Sequence, residues 1–251
     1  MTADAVTHCT SGFRTVLSLP VFRAASYDAA VQSIRTLGEF VAEEQIIPWL
    51  AGEVANNHRD SSAGASAVAK QHRLPMVCST CTATKACCAS YVIVRLYEGL
   101  VIAAELVRTG RDTPELRADL RTRAEAMETT QARAWFTPCV FLDVTERCTV
   151  YDVRPTTCAQ LYVYTPPELC EARSSKISSY TPKNEVAAAN RIEETFRERL
   201  ALRRKVGRRY LGVLPRMVLV SLEAWDRTDF RDYLRQLPWL TDEDWARVVQ
   251  P

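Results

Sequence analysis

Residues 138–158 read PCVFLDVTERCTVYDVRPTTC. Three cysteines, two prolines and an aspartate-rich turn composition interrupt any run of helical periodicity here. The wider stretch from Phe136 to Cys170 holds four of the nine cysteines, four prolines and three tyrosines. It reads as loops with short strands such as Thr149-Val150-Tyr151, because apolar residues recur neither every three to four positions nor in long alternation. The fold therefore has to be built around an irregular segment, with regular structure on either side.

Outward from that segment the pattern is helical. Upstream, YVIVRLYEGLVIAAELV (91–107) divides into a short strand and a helix over Leu96–Arg108, with Gly110 as its stop. Thr113-Pro114-Glu115 opens another helix with a hydroxyl cap, a first-turn proline and a first-turn acid, and Leu116, Leu120, Ala124 and Met127 form its apolar stripe. Further upstream, Val31, Ile34, Leu37 and Val41 mark a helical run that Pro48 is expected to interrupt or kink, with a second segment over Trp49–His58. The small residues from Ser61 to Val68 read as a loop or weak helix, and residues 1–22 as irregular. Downstream, Asn184 begins a helix with Val186, Ala189, Ile192, Phe196 and Leu200 on one face. Asp226–Leu237 and a segment opening at Thr241 are shorter candidates. Trp225, Trp239 and Trp245 read as aromatic anchors for the tail.

The expected fold is mainly α: a helical domain with an irregular cysteine-rich metal-binding segment and at most short strands. Its parts are an N-terminal helical region (1–77), a cysteine-cluster region (78–170) and a C-terminal helical region (171–251) packed on the same core. A chain of 251 residues can bury that core without staples. A net charge of +2 gives no global drive towards nucleic acid or membrane. The basic run 197–209, with seven Lys/Arg against one acid, reads first as a solvated helix face, and no nucleic-acid recognition motif accompanies it. No stretch reaches the ~18 apolar residues of a membrane span, and the N-terminus lacks the layout of a secretory signal. The expectation is a cytoplasmic protein.

Nine cysteines are many for a reducing compartment, where metal ligation or catalysis is the usual reason for them. Their number is odd, so complete internal pairing is impossible. They fall into two groups. Cys78 and Cys81 form a C-x-x-C pair, followed after five residues by adjacent Cys87 and Cys88. Cys139, Cys148 and Cys158 are separated by eight and nine residues. A C-x-x-C turn converges two thiolates on one metal, and ligands from a distant segment then close a large loop on it. Cys170 and Cys9 stand outside the groups. A redox C-x-x-C would open a helix after a strand in a βαβ unit, and no such alternation surrounds Cys78. The three histidines, His8, His58 and His72, lack ligand spacing, although His72 lies close to Cys78. An all-thiolate site suits zinc and iron–sulfur chemistry alike. Adjacent Cys87 and Cys88 point in different directions in a regular backbone, which favours a cluster, with 4Fe-4S ahead of zinc.

The elements Pro138, Cys139, Phe141, Leu142, then Cys148, Val150, Tyr151, Arg154, Pro155 and Cys158 closely resemble the signature of the zinc- or iron-chelating cysteine-cluster family labelled YkgJ-like. Cys78, Cys81, Cys87, Cys88, Val92, Val94 and Glu98 resemble its first motif, C-x-x-C-x-x-C-C followed by an apolar strand and a glutamate. The spacing departs from it, with Thr82–Ala86 between Cys81 and Cys87 where the family usually has two residues. The resemblance spans about Cys78 to Tyr164. It implies metal binding by Cys78, Cys81, Cys87, Cys88, Cys139, Cys148 and Cys158. Related cysteine clusters occur in flagellin lysine methylases thought to carry an iron–sulfur cluster, which opens a methyltransferase-like or redox role. The alternative is a zinc-stabilised binding or adaptor protein without catalysis. The substrate or protein partner is not named by any motif. Arg154, four residues before Cys158, is expected to offset charge at the centre; the contrary expectation is a surface ion pair with Asp152 or Asp143.

Overall fold

The structure is a computed structural model, and it describes residues 35–76, 86–174, 176–180, 184–202, 210–239 and 241. Cys9, Cys78, Cys81, Trp245, the N-terminal irregular segment and most of the basic run lie outside the described residues.

The architecture is mainly α. Helix α1 (Leu37–Glu43) starts at a reciprocal capping box, in which Thr36 Oγ1 accepts from the Glu39 N–H and Glu39 accepts from the Thr36 N–H. Two residues later α2 (Ile46–His72) begins and runs unbroken for 27 residues. This corrects two expectations. Pro48 does not interrupt the helix, because it is the third residue of α2, in the first turn, where N–H groups have no intrahelical acceptor. Ser61–Val68 is not a loop but part of this helix. One narrow stripe faces the interior: Asn57, Ser61, Ala65 and Ala69 recur every four positions and are all buried. That narrow face lets other chain segments approach, so Tyr164 donates its hydroxyl to the Ala65 carbonyl at 2.9 Å. A Cβ on Gly64 would collide with the Tyr180 hydroxyl.

Two strand-to-helix units form the centre. Strand β1 (Ile93–Arg95) leads directly into α3 (Leu96–Arg108). Further along the chain, β4 (Leu211–Val213) leads into α8 (Leu214–Trp225) in the same way. The strands pair antiparallel, with Ile93 opposite Val213 and Arg95 opposite Leu211. Helices α3 and α8 lie so close that a Cβ on Gly99 would sit 2.5 Å from the Met217 carbonyl oxygen. Both helices are apolar nearly all round, as inner helices must be. Helix α4 (Pro114–Thr129) covers α8 with the expected stripe: Leu120, Ala124 and Met127 are buried, and Thr113 Oγ1 caps it by accepting from the Leu116 N–H at 3.2 Å.

The cysteine-rich segment contributes only short pieces: α5 (Thr156–Ala159), β2 (Tyr162–Val163), α6 (Pro167–Glu171) and β3 (Ser179–Tyr180), with β2 and β3 paired antiparallel. Thr149–Tyr151 is not a strand, contrary to expectation. The only pairing there is a single bridge between Leu142 and Cys148, after which Tyr151–Val153 turns as a 3-10 helix. That turn carries the chain away before a longer ladder can form. Helix α7 (Asn184–Arg199) packs on α2, burying Ala189, Ile192 and Phe196. Helix α9 (Phe230–Gln236) closes the core, and Trp239 is buried beside Tyr210 with its indole N–H on the Leu234 carbonyl at 2.6 Å. One apolar core runs from Leu37 and Leu50 through Tyr97 and Leu100 to Phe141 and Trp239, so the irregular segment is joined to the helices by its own side chains. No helix of the described residues is long and apolar enough to cross a membrane.

Candidate metal centre

The two cysteine groups meet through the backbone. Cys87 and Cys88 lie on a 3-10 turn, Ala86–Ala89, whose flanking alanines are buried. Anchoring by Ala86 and Ala89 leaves Cys87 exposed and Cys88 half-buried. The Cys88 carbonyl accepts the Cys139 N–H at 2.8 Å, which fixes the start of the second group against the end of the first.

Cys139 and Cys148 are set by a compact loop. Asp143 closes it, accepting on one carboxylate oxygen from the Thr145 N–H (2.8 Å), the Thr145 hydroxyl (2.7 Å) and the Arg147 N–H (3.0 Å). Those bonds hold the Asp143 carboxyl below its ordinary range. The Thr149 N–H and hydroxyl both bind the Phe141 carbonyl, at 2.8 and 3.0 Å. Glu146 takes the left-handed conformation that the tight turn requires, with φ of 59°. Two arginines clamp the loop from outside: Arg123 donates to the Pro138 carbonyl and Arg111 to the Thr149 carbonyl.

Cys158 sits on α5. Pro155 precedes this four-residue helix, and the Thr156 N–H at its start donates to Glu98 Oε1 at 2.8 Å. Glu98 Oε2 accepts the Arg95 N–H at 2.8 Å. The carboxyl is buried in α3, and burial raises its pKa against the opposing effect of these two N–H donors. The glutamate of the first motif thus positions the helix that carries the last cysteine of the second.

All six described cysteines, Cys87, Cys88, Cys139, Cys148, Cys158 and Cys170, line one cavity of about 930 Å³. Cys170 is the member that sequence reasoning missed. It arrives on α6, which packs against the 3-10 turn bearing Cys87 and Cys88. Its signal was its position, with eleven residues between it and Cys158, but nothing flanking it matched a motif. The thiols interact. A side-chain hydrogen bond with Cys87, then burial, holds the Cys88 thiol far above the ordinary range. Burial raises Cys139 and Cys148, while Arg154 and Arg111 draw Cys148 back down. Cys158 is open to the cavity yet lies deep in the protein; this surrounding pushes it up to about 12, with smaller contributions from Cys139, Glu98, Cys148 and Cys87. Thiols so placed resist ionisation until a cation compensates, which is the condition under which thiolates ligate.

Among the described residues, no three His, Cys, Asp or Glu side chains form a group able to hold one metal ion. The donor chemistry nevertheless fits a soft metal, since the cavity gathers six sulfurs. His72 is exposed at the end of α2. Arg154 pairs with neither Asp152 nor Asp143. Its guanidinium lies over the Tyr151 ring, 3.7 Å from the centroid, and donates to the Tyr151 carbonyl at 2.9 Å.

Such an arrangement, a helical scaffold presenting thiols on loops around one cavity, defines a cysteine-cluster protein. Residues 77–186 match the family model CxxCxxCC, described as a putative zinc- or iron-chelating domain. No curated protein and no solved structure matches the chain.

Proposed function

We propose that this chain holds an iron–sulfur centre through thiolates drawn from Cys78, Cys81, Cys87, Cys88, Cys139, Cys148 and Cys158, and that the centre serves a redox or methyltransferase-like reaction on a substrate or protein partner. The observation that carries this reading is the convergence of Cys87 and Cys88 with Cys139, Cys148 and Cys158 on one cavity, within the stretch that matches the zinc- or iron-chelating family model. Seven thiols exceed the four of a tetrahedral zinc site, and Cys170 adds an eighth within reach of the same space. When bound, the cluster would supply one-electron chemistry. The chain's residues orient the thiols: Glu98 holds α5, Asp143 holds the loop of Cys139 and Cys148, and the Cys88 carbonyl joins the two groups. Arg154 and Arg111 place positive charge near Cys148, which favours its thiolate.

The test is metal and sulfide analysis with a visible spectrum on anaerobically purified protein. Iron, acid-labile sulfide and visible absorption are expected. Zinc without colour would replace the reading with a zinc-stabilised binding protein, and metal-free protein would overturn metal binding.

A further inference from the structure

The cavity is larger than a single ligated ion needs, since a zinc ion with sulfurs about 2.3 Å away occupies on the order of 50 Å³. Sites for organic ligands span roughly 300–1,000 Å³, and this cavity measures about 930 Å³. Beyond the cysteines its walls are apolar and aromatic, with Tyr91, Met127, Trp135, Phe141 and Leu214. At its surface Tyr151 and Leu161 are 60% and 41% exposed, an uncommon placement for large apolar groups unless something covers them.

The charged lining is biased to one sign. Arg123, Arg147 and Arg154 line the cavity, and Glu146 is the single acid among the described lining residues. Arg123 is spoken for by Asp119 and the Pro138 carbonyl. Arg147 and Arg154 form no ion pair with a described carboxylate. Arg154 is engaged by the ring and the carbonyl of Tyr151, whereas the guanidinium of Arg147, which acts electrostatically on Asp143, makes no side-chain hydrogen bond to a described residue. A guanidinium at the edge of an apolar cavity is suited to a planar acidic group.

We propose that this cavity is a binding site for an organic anion with a flat apolar body, its body against Trp135 and Phe141 and its acidic group on Arg147. The site shares the cysteine-lined cavity with the candidate metal centre, and its test reads organic binding and metal content separately. The test uses 8-anilino-1-naphthalenesulfonate and its uncharged counterpart N-phenyl-1-naphthylamine on the folded, full-length chain as purified, with metal per chain measured on every sample. The sulfonate is expected to saturate at one per chain, with energy transfer from tryptophan that Trp135→Phe reduces. The uncharged probe is expected to bind at least about tenfold more weakly. Arg147→Gln should weaken the sulfonate by about tenfold and leave the uncharged probe unchanged. Non-saturable or multiple binding, equal affinity of the two probes, or an unaltered Arg147→Gln variant would overturn the site. Saturable sulfonate binding to metal-free protein would keep this site and remove the metal reading, and metal-loaded protein without it would do the reverse.

Discussion

Glu98 and Thr156, 58 positions apart, are joined by a buried hydrogen bond in which the Thr156 N–H donates to Glu98 Oε1 at 2.8 Å. The bond spans from the first helix after Cys88 to the start of the helix bearing Cys158. Glu98 is the one buried charged residue among the described residues, and its place explains why a glutamate stands at that distance from the adjacent cysteines.

Glu98→Ala leaves the Arg95 and Thr156 N–H groups without their acceptor, at about 1–3 kcal/mol each. Glu98→Gln retains the shape and one acceptor, so about half that loss is expected. Chemical denaturation measures the stability, and metal per chain should fall with Glu98→Ala because α5 no longer holds Cys158. Wild-type stability and metal content in both variants would refute the positioning role.

The cysteines should rank by their place on the cavity. Cys139→Ala, Cys148→Ala and Cys158→Ala are expected to lose metal outright and to melt at lower temperature, because metal binding and folding are linked. Cys170→Ala should lose less, and Cys9→Ala none. A packed thiol costs only about 1 kcal/mol on truncation. Metal per chain across the series reads the order directly, and retention of metal by Cys148→Ala and Cys158→Ala with loss by Cys9→Ala would reverse the assignment.

Arg154 lies over the Tyr151 ring and opposes the burial that raises the Cys148 thiol pKa. Arg154→Ala is therefore expected to reduce metal retention in a timed challenge with chelator, with Arg154→Lys intermediate, since lysine keeps the charge but not the stacked plane. An equal rate of metal loss in wild type and Arg154→Ala would leave the arginine a packing residue only.

His58 supplies a pH dependence. Burial, then the positive charge of Arg154, lowers its pKa from 6.5 to about 4, and its Nε2 has no hydrogen-bond partner among the described residues. The folded state keeps this ring neutral where the unfolded chain binds a proton, so its contribution is whole above pH 6.5 and is lost as pH falls towards about 4. His58 is only half-buried, and solvent screening brings the expected loss to about 1–2 kcal/mol. Denaturation at a series of pH values should show that slope, and His58→Gln should flatten it. A slope unchanged by the substitution would assign the effect to other groups.

Much of the scaffold could be read from local chemistry. Thr113-Pro114 and the Leu120, Ala124, Met127 stripe specify α4, and Val92–Arg108 divides into strand and helix where its composition says it should, because caps and periodicity act within a few residues. The cysteine groups likewise announce thiol chemistry by spacing alone. Only the tertiary structure decided the rest. Pro48 and the small residues of Ser61–Val68 belong to one long helix, since the proline falls in a turn that needs no N–H and the small face is filled by Tyr164. Thr149–Tyr151 remains without a sheet partner. Cys170 reaches the cavity through the docking of α6, and Arg154 turns to Tyr151 instead of Asp152 or Asp143. Those outcomes depend on which distant surface a segment meets, and a linear pattern carries no record of that encounter. The sequence by itself determined that thiols would gather between helices; the docking of the cysteine-rich segment beside α2, α4 and α8 decided which side chains share the cavity.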